Sequence, residues 1–268
     1  MMFSVIIPLY NKQESIQNTI QSVLNQTEQD FEIIVVNDGS KDQSIEKVQE
    51  FKDPRIRIIN KPNGGVSSAR NRGIDEANYC WIAFLDGDDL WQKNHLREVK
   101  GMMDHFSNEK VYVTSFEYSD KREFFKHSRE TNIFKIENYF KEAMREPLIW
   151  TSIAVVHKSC FIDVGNFNEK LSRGEDLDVW ARLASKNNII KSSKVTATYR
   201  VDAENKISIG KSEYHKSLLS VIDLSGLEGD KRRYFKNIVV RRLKVDLKTF
   251  DLKELLFLLM KHNLELLK

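Results

Sequence analysis

The first half of the chain alternates short apolar runs with amphipathic stretches. The runs FSVIIPLY, FEIIVV, RIRII and WIAFL are rich in β-branched and aromatic residues and have the length of strands. Between them, apolar residues recur at helical spacing, as they do from Ile16 to Leu24. Apolar strands that alternate with amphipathic helices are typical of a mostly parallel sheet covered on both faces. The pattern therefore predicts an α/β fold for this half.

The second half is less regular. The stretches KVYVTSFEY, WTSIAVVHKS and IKSSKVTATYRV have the composition of strands, and EDLDVWARLASK has the apolar spacing of a helix. A polar helix is predicted near Ile136 to Arg145, and from Ser212 onward the pattern is helical. The sequence contains no internal repeat. It also contains no low-complexity linker or clean break that would separate two independent domains.

Composition narrows the class of protein. Hydrophobic residues make up 41% of the 268-residue chain and charged residues 30%, which is typical of a soluble globular protein. The apolar run at the start is short, is interrupted by Pro8 and has no basic flank, so we expect a first strand rather than a signal peptide. No apolar window is long enough to span a bilayer. Cys80 and Cys160 have no metal-type spacing and lie in apolar surroundings, so we expect buried free thiols in a reducing cytoplasm.

The net charge of +3 is unevenly distributed. From Asp230 to Lys268 there are eleven Lys and Arg residues against five Asp and Glu, whereas the rest of the chain is slightly acidic. The basic tail is compatible with an amphipathic helix on an anionic membrane, with a helix packed on the protein and a solvated basic face, or with a dimer contact. Nucleic-acid binding is not expected, because the basic residues lack interleaved aromatics and any recognisable module.

Polar residues follow each of the four predicted strands. The strands end in PLYN, NDGSKD, NKPNGG and DGDD. Ligands of open α/β sheets bind at the carboxyl ends of the strands, so these segments form the candidate site. NKPNGG has neither the Lys-Ser/Thr of a P-loop nor the glycine pattern of a dinucleotide site. NDGSKD alone is compatible with a tight turn before a helix capped by Ser40 or Asp42.

The segment DGDD places Asp86, Asp88 and Asp89 within four positions. Carboxylates this close repel one another, and a divalent cation bound by oxygen ligands offsets that cost. The segment lacks the ligand spacing of an EF-hand, so we expect Mn²⁺ or Mg²⁺ held by few protein ligands and by phosphate oxygens. The alternative is a solvated acidic turn that caps a helix beginning near Leu90, with Asp88 or Asp89 as the cap.

Two predicted helices carry charges in their first turns. Arg70 and Arg72 lie where the helix dipole opposes cations, so a polar or anionic ligand explains them better than helix stability does. Glu175 and Asp176 begin the helix of RGEDLDVW, where the dipole favours acids. A carboxylate at that position could also serve as a general base, and the spacing alone leaves both roles open.

Taken in order, VIIPLYN, IIVVNDGSKDQS, GVSSARNRGI, IAFLDGDDLW and RGEDLDVW resemble the inverting glycosyltransferases of family 2, which have the GT-A fold. The resemblance runs from about Phe3 to about Arg200 and leaves out the C-terminal helices. It implies a GT-A catalytic domain over residues 1–211, a three-layer α/β/α structure with a mostly parallel central sheet. Residues 212–268 would then form a C-terminal helical extension.

The resemblance also implies roles for single residues in donor binding. Pro8, Tyr10 and Asp38 would form the pocket for the nucleotide base, with Tyr10 packed on the ring and Asp38 accepting from its imide N–H. Arg70 would border the same donor pocket.

The remaining acids would divide the chemistry between them. Asp86 and Asp88 match the outer acids of the family's DxD motif. By this resemblance Asp86 contacts the donor's ribose or the shell of the metal, and Asp88 binds the metal directly. Asp176 matches the catalytic base, with Glu175 beside it.

The chain departs from the family's pattern at two positions. Asn37 stands where the family commonly has another Asp, which is a mild change beside the base pocket. After TYR the family often has a His that helps to hold the metal or the diphosphate, whereas this chain offers Asp202 or Asn205. The third metal contact is therefore left open.

The resemblance predicts an enzyme that moves a sugar from a nucleotide sugar, with uridine the favoured base, to a hydroxyl of a glycan or lipid-linked glycan. Two alternatives are a catalytically silent nucleotide-sugar-binding protein and a nucleotidyltransferase of related fold. The second should carry a Gly-rich phosphate loop where this chain has PLYNKQES. We expect a cytoplasmic protein, located at the inner face of the plasma membrane if the basic tail binds lipid.

Overall fold

Strands and crossover helices alternate in the first half of the structure, as the sequence pattern predicts. The structure is a computed structural model that describes residues 2–122, 132–204 and 214–266. Within these ranges nine strands form one sheet: β1 (Phe3–Leu9), β2 (Phe31–Asn37), β3 (Ile56–Asn60), β4 (Trp81–Phe84), β5 (Leu90–Trp91), β6 (Val111–Tyr118), β7 (Ile133–Lys135), β8 (Ala154–His157) and β9 (Ile189–Tyr199). The α-helices in the same ranges are α1 (Ile16–Leu24), α2 (Ser44–Gln49), α3 (Val66–Glu76), α4 (His95–His105), α5 (Tyr139–Ala143), α6 (Ser159–Val164), α7 (Glu175–Ala184), α8 (Leu218–Val221), α9 (Gly229–Thr249) and α10 (Leu252–His262).

The strand order is β3-β2-β1-β4-β8-β6-β9-β5, with β7 paired to β9 off this path. The longest ladders are parallel: β3, β2, β1 and β4 run together, and β6 runs parallel to β9. Strand β8 is antiparallel to β4 and β6, and the short strands β5 and β7 are antiparallel to β9. The sheet is therefore mostly parallel, as predicted, with antiparallel pairs beyond β4.

Strand β2 shows why the sheet carries a helix layer on each face. Successive side chains of a strand point to opposite faces, and every residue of β2 is buried. Ile33 and Val35 belong to the main core with Ile16 of α1, whereas Ile34 and Val36 form a second cluster with Ala69 of α3. Helices α1 and α3 thus cover opposite faces, and the predicted three-layer arrangement is confirmed.

The parallel pairing brings the carboxyl ends of the first four strands to one edge of the sheet. Leu9 pairs with Asn37, and Asn37 pairs with Asn60. Leu85, directly after β4, donates its N–H to the carbonyl of Ile6 at 3.0 Å. The polar segments that follow these strands therefore meet at the same edge, where open α/β sheets bind their ligands.

The C-terminal helices pack against α5 and α7. Their buried side chains form a hydrophobic cluster with Ala181 of α7: Leu218, Leu219, Ile222, Leu224, Tyr234, Phe235, Val239 and Leu258. Of the three interpretations of the basic tail, packing on the protein therefore accounts for the buried face of α9. The predicted division between residues 211 and 212 lies outside the described residues and stays a prediction.

Helix α10 is oriented with a charged group inward. Glu254, Leu258 and His262 are buried, and Arg242 of α9 forms an ion pair with the carboxylate of Glu254. The opposite face of the helix is exposed and apolar: Leu252, Leu256, Leu259 and Met260. The amphipathic pattern of α10 is thus reversed relative to a helix that packs its apolar stripe on a core.

Two predicted details are wrong. Cys80 is exposed, because it precedes β4 instead of lying inside it, whereas Cys160 is buried as expected. No helix begins near Leu90, because residues 90 and 91 form β5 and α4 begins only at His95. Over the described ranges, no helix combines the length and the apolar character that crossing a membrane requires.

Candidate functional site

A cavity of about 710 Å³ lies at the carboxyl ends of β1, β2 and β4. It is lined by every residue that the sequence predicted for the site: Pro8, Tyr10, Asp38, Arg70, Asp86, Asp88 and Asp176. Tyr10 is 36% exposed to solvent. The parallel strands and the start of α7 therefore bring together residues that are up to about 170 positions apart in the sequence.

Asp38 organises the loop that forms one wall of the cavity. Its side chain is buried, and its carboxylate accepts hydrogen bonds from the N–H of Gly64 (2.9 Å), the N–H of Gly65 (2.8 Å) and Lys61 Nζ. Gly65 has a φ of +88°, a backbone conformation that favours glycine. A carboxylate has about four acceptor sites, so one remains for a donor group of a ligand.

The turn between β4 and β5 holds three carboxylates in different surroundings. Asp86 and Asp88 line the cavity with side chains 24% and 16% exposed. Asp89 is buried, and its carboxylate accepts from Ser152 Oγ at 2.7 Å and from the N–H of Arg200 at 3.2 Å. Burial raises the pKa of Asp89 well above its usual value, and the charges of Asp86 and Asp88 raise it further. The interpretation of Asp89 as a helix cap is therefore wrong, because its carboxylate joins three segments of the chain.

Arg70 joins the acidic turn to the start of α7. It donates from Nη2 to Asp86 Oδ1 at 2.8 Å and from Nη1 to Glu175 Oε1 at 3.0 Å. Burial lowers the pKa of Arg70, but the charges of the two acids outweigh that effect and hold it above its usual value. The position of Arg70 in α3 is thus explained by two carboxylates of the chain itself, those of Asp86 and Glu175, without a ligand. Arg72 does not line the cavity; it forms an ion pair with Glu76 at the surface of α3.

Asp176 lies in the first turn of α7, two residues after Gly174, whose φ of +77° favours glycine. Its Oδ1 accepts from the N–H of Leu177 at 2.8 Å. Burial raises the pKa of Asp176 to about 7; the charge of Glu175 raises it too, while Arg70 lowers it. A carboxylate with a pKa near neutrality can exchange a proton at physiological pH, as a general base must.

Lys12 is a cavity residue that the sequence interpretation missed. Its Nζ donates to Asp88 Oδ2 at 2.7 Å and to the main-chain carbonyl of Glu204. Burial raises the pKa of Asp88 above its usual value, although Lys12 lowers it. The available signal was its position directly after PLYN, at the carboxyl end of β1, where a cation is a candidate for contact with an anionic ligand.

The oxygen ligands of the acidic turn suit a hard divalent cation with few protein contacts. Across residues 2–122, 132–204 and 214–266, no three or more His, Cys, Asp or Glu side chains are grouped so as to hold a metal ion. Mg²⁺ is usually bound by one or two carboxylates and completes its shell with water and phosphate oxygens, a pattern that Asp88 with Asp86 matches. Asp202 points elsewhere, because it pairs with Arg200 and its side chain is 66% exposed. Asn205 lies outside the described residues.

The C-terminal segment is fastened to the residues that lead into α7. The N–H of Ser172 donates to the carbonyl of Lys216 at 2.7 Å, and the N–H of Leu218 donates to the carbonyl of Arg173 at 2.9 Å. A Cβ on Gly174 would lie only 2.8 Å from the Cβ of Leu218. The placement of the candidate base therefore depends on contacts with the C-terminal helices.

The family model described as "Glycosyl transferase family 2" matches residues 4–165, which is more than half of the chain. The chain belongs to glycosyl transferase family 2. The match includes the segments that carry Pro8, Asp38, Arg70 and Asp88, and it ends before Asp176. The predicted family is confirmed, and with it the prediction of a transferase at the level of the family.

Two bacterial proteins named as glycosyltransferases are among the relatives of this chain. A protein of Rickettsia bellii named "Uncharacterized glycosyltransferase" is 31% identical over 227 residues, 81% of this chain and 31% of that protein. Escherichia coli WfgD, named as a UDP-Glc:alpha-D-GlcNAc-diphosphoundecaprenol beta-1,3-glucosyltransferase, is 42% identical over 101 residues, 37% of this chain and 40% of that protein. The chain spans about a third of the length of the first relatives it matches.

The fold has a counterpart in S. aureus TarS. The crystal structure of TarS 1-349 in complex with UDP-GlcNAc matches with a TM-score of 0.70 at 20% identity, over 90% of this chain and 66% of that one. At this identity the likeness concerns the fold alone. It confirms the predicted GT-A fold.

Proposed function

We propose that this chain is the catalytic domain of an inverting glycosyltransferase that moves a sugar from a UDP-sugar to a hydroxyl of a glycan or lipid-linked glycan. The observation that carries the proposal is the meeting, in one cavity, of the Asp38 loop, the Asp86–Asp88 turn and Asp176 with its pKa near 7. The name of WfgD includes UDP-Glc, and TarS was crystallised with UDP-GlcNAc, which supports uridine as the base of the donor.

The nucleotide would bind at the β1–β2 side of the cavity. Tyr10 lines the cavity and would pack on the base, and Asp38 has an acceptor site for the imide N–H of uracil. Pro8 lines the same wall, and Arg70 lies between this pocket and α7. Because its charge does not titrate near neutral pH, Arg70 contributes a constant positive potential beside an anionic donor.

The acidic turn would hold the metal. Asp88 would bind Mn²⁺ or Mg²⁺, and Asp86 would contact the donor's ribose or the outer shell of the ion. When bound, the ion would act as a Lewis acid that stabilises the charge of the departing diphosphate. Arg70 contacts the carboxylate of Asp86 and orients it, and in this structure Lys12 contacts that of Asp88.

Asp176 would act as the general base. It would accept the proton of the acceptor hydroxyl while that oxygen attacks the anomeric carbon from the side opposite the diphosphate, so the anomeric configuration would be inverted. With a pKa of about 7, Asp176 is increasingly ionised, and so able to accept a proton, as the pH rises above neutrality. Holding donor and acceptor in line supplies much of the remaining lowering of the barrier.

The test is release of UDP by the full chain from a panel of UDP-sugars, with and without acceptor glycans, in Mn²⁺, Mg²⁺ and EDTA. We expect metal-dependent release that Asp88→Ala abolishes, and a product of inverted anomeric configuration by NMR. Asp202→Ala is the matched control, because this carboxylate is exposed and paired with Arg200. Nucleotide-sugar binding without turnover would instead indicate a catalytically silent protein, and turnover of a nucleoside triphosphate would indicate a nucleotidyltransferase.

We further propose that the apolar face of α10 contacts an anionic membrane at the cytoplasmic side, where a lipid-linked acceptor would lie. Leu256 and Met260 on this face are 58% and 79% exposed, and Phe250 at the turn before it is 83% exposed. The neighbouring exposed residues include the cations Lys248 and Lys253. An apolar face bordered by cations is complementary to acyl chains beneath acidic headgroups.

The membrane contact is tested by co-sedimentation with vesicles. We expect binding to vesicles that contain phosphatidylglycerol, weaker binding to pure phosphatidylcholine, and loss of binding in a Leu256→Ser, Met260→Ser variant. An Ile162→Ser variant is the control, because Ile162 is 85% exposed on α6 and belongs to a different surface. A concentration-dependent dimer that the double variant disrupts, without vesicle binding, would assign the face to a second copy of the chain instead.

A further inference from the structure

Lys12 is held rigidly at its backbone and directs its side chain into the cavity. Its N–H donates to Ser44 Oγ at 2.8 Å, and its carbonyl accepts from the N–H groups of Ser15 (3.1 Å) and Ile16 (2.9 Å) at the start of α1. The side chain of Lys12 is 12% exposed and contacts Asp88, which is 16% exposed. The ammonium thus lies, little exposed, on the carboxylate that would bind the metal.

The second acceptor of Lys12 is itself fixed in place. The carboxylate of Glu204 accepts from the N–H groups of Glu14 and Ser15, each at 3.1 Å, and from Ser15 Oγ at 2.6 Å. Arg200 also donates to Ser15 Oγ, at 3.2 Å. The segment after β9 is therefore tied to the first turn of α1, and the carbonyl of Glu204 lies where it holds the Lys12 ammonium against Asp88.

A divalent cation and an ammonium repel each other strongly at such distances, and both would use the same carboxylate. With Lys12 in this position, Asp88 therefore binds a metal more weakly than it would if Lys12 moved away. A nucleoside diphosphate in the cavity changes the balance, because its phosphate oxygens offer the ammonium another anionic partner within the same space. Lys is suited to such a change of partner, because its charge sits at the end of a flexible four-carbon chain.

We propose that Lys12 couples metal binding to nucleotide binding. Lys12 occupies Asp88 while the cavity lacks nucleotide, moves to the diphosphate when the nucleotide binds, and thereby frees Asp88 for Mn²⁺ or Mg²⁺. This inference rests on the proposed function, because it requires a nucleoside diphosphate in the cavity. It also gives the diphosphate a cationic partner, Lys12, at the carboxyl end of β1.

The coupling has a signature that a merely structural ion pair lacks. Linkage requires that UDP raise the affinity for Mn²⁺ by the same factor by which Mn²⁺ raises the affinity for UDP. Direct contact between metal and diphosphate contributes to this factor in every variant. Removing the charge of Lys12 should lower this shared factor, because it strengthens the binding of Mn²⁺ to the nucleotide-free protein.

The experiment measures Mn²⁺ binding to the full chain by electron paramagnetic resonance of the free ion, with and without UDP, and UDP binding in EDTA by calorimetry. In Lys12→Met we expect Mn²⁺ to bind the nucleotide-free protein about tenfold more tightly or more, since a unit charge beside a little-exposed carboxylate has an effect of at least that size. We expect UDP to bind this variant more weakly in EDTA, because the ammonium no longer reaches the diphosphate.

Three further variants make the result decisive. Lys12→Arg keeps the positive charge and should retain the weak metal binding of the nucleotide-free protein. Lys47→Met removes a cation from the surface of α2, where Lys47 pairs with Glu50, and should leave both affinities unchanged. Lys12→Gln removes the charge but can still hydrogen bond to Asp88 and Glu204, so it replaces Lys12→Met if that variant loses its thermal unfolding transition.

The outcomes separate the inference from the proposed function. If wild-type protein binds UDP but Lys12→Met and Lys12→Gln bind Mn²⁺ without nucleotide no more tightly than Lys47→Met does, the coupling role of Lys12 is wrong and the transferase assignment stands. Absence of Mn²⁺ binding in every form, with or without UDP, also overturns the coupling. If no form binds UDP or a UDP-sugar at all, the proposed function fails together with the inference.

Discussion

The two acidic segments of the cavity differ in how their charges are balanced. In the turn after β4, cations contact both Asp86 and Asp88. At the start of α7, Arg70 contacts Glu175, whereas the carboxylate of Asp176 accepts from a backbone N–H and has its pKa raised to about 7. The first segment is equipped to present negative charge to a cation, and the second is equipped to exchange a proton. We therefore expect similar residue types to serve different purposes, because their nearest partners differ.

The largest effect is expected from Asp176→Asn, which removes the proposed general base. We expect kcat for sugar transfer to fall by about 10²- to 10⁴-fold, the usual contribution of a general base, while UDP affinity stays within error of wild type. The matched control is Asp178→Asn on the same helix, because Asp178 pairs with Arg182 instead of facing the cavity. A loss of less than about tenfold in steady-state transfer would contradict the role of Asp176 as base.

The link between the two segments is tested by Arg70→Met. Arg70 lowers the pKa of Asp176, so its removal should raise that pKa and move the rising limb of the pH–rate profile, near pH 7 in wild type, to higher pH. Stability should fall by about 3–5 kcal/mol, because two acids lose a buried partner. Arg70→Lys keeps the charge and should hold the limb near its wild-type position. The profile is measured as kcat/KM against pH. If its rising limb stayed at the same pH in Arg70→Met, Arg70 would not influence Asp176, and the two acidic segments would act independently.

A smaller effect is expected in stability against pH. The pKa of Asp176 is raised in the folded state, so the folded chain binds this proton more tightly than the unfolded chain, and ionisation of Asp176 destabilises the fold as the pH rises from about 4 to about 7. Asp176→Asn removes an ionisable group and with it this penalty. We expect the variant to unfold at a higher temperature than wild type at pH 8, with a smaller difference at pH 5 and none at about pH 4 or below, measured by scanning calorimetry. A lower unfolding temperature at pH 8 would show that Asp176 is stabilised as an anion.

Much of this architecture follows from local sequence. The alternation of apolar runs and amphipathic stretches predicts the parallel strands and their helices, and the residues after each strand predict which side chains meet. The partners of those side chains are not predictable in this way. Lys12 and Asp88 are 76 positions apart, and Arg70 and Glu175 are 105 apart, so no periodicity or spacing connects them. The orientation of α10 is not predictable from local sequence for a related reason, because its inward face carries Glu254, which forms an ion pair with Arg242 of the preceding helix.

The smallest effect is expected from Asp89→Asn, which sharpens the contrast within the acidic turn. The amide can accept from the N–H of Arg200 and donate to Ser152 Oγ, so both contacts of the buried carboxylate can be kept with a neutral side chain. Stability should change by no more than about 1 kcal/mol, and metal-dependent UDP release should persist. Asp88→Asn, one position away, should lose that release, because Asp88 lines the cavity and is the proposed metal ligand. If the two variants lost Mn²⁺-dependent release equally, burial and hydrogen bonding would not distinguish a structural acid from a metal ligand in this turn.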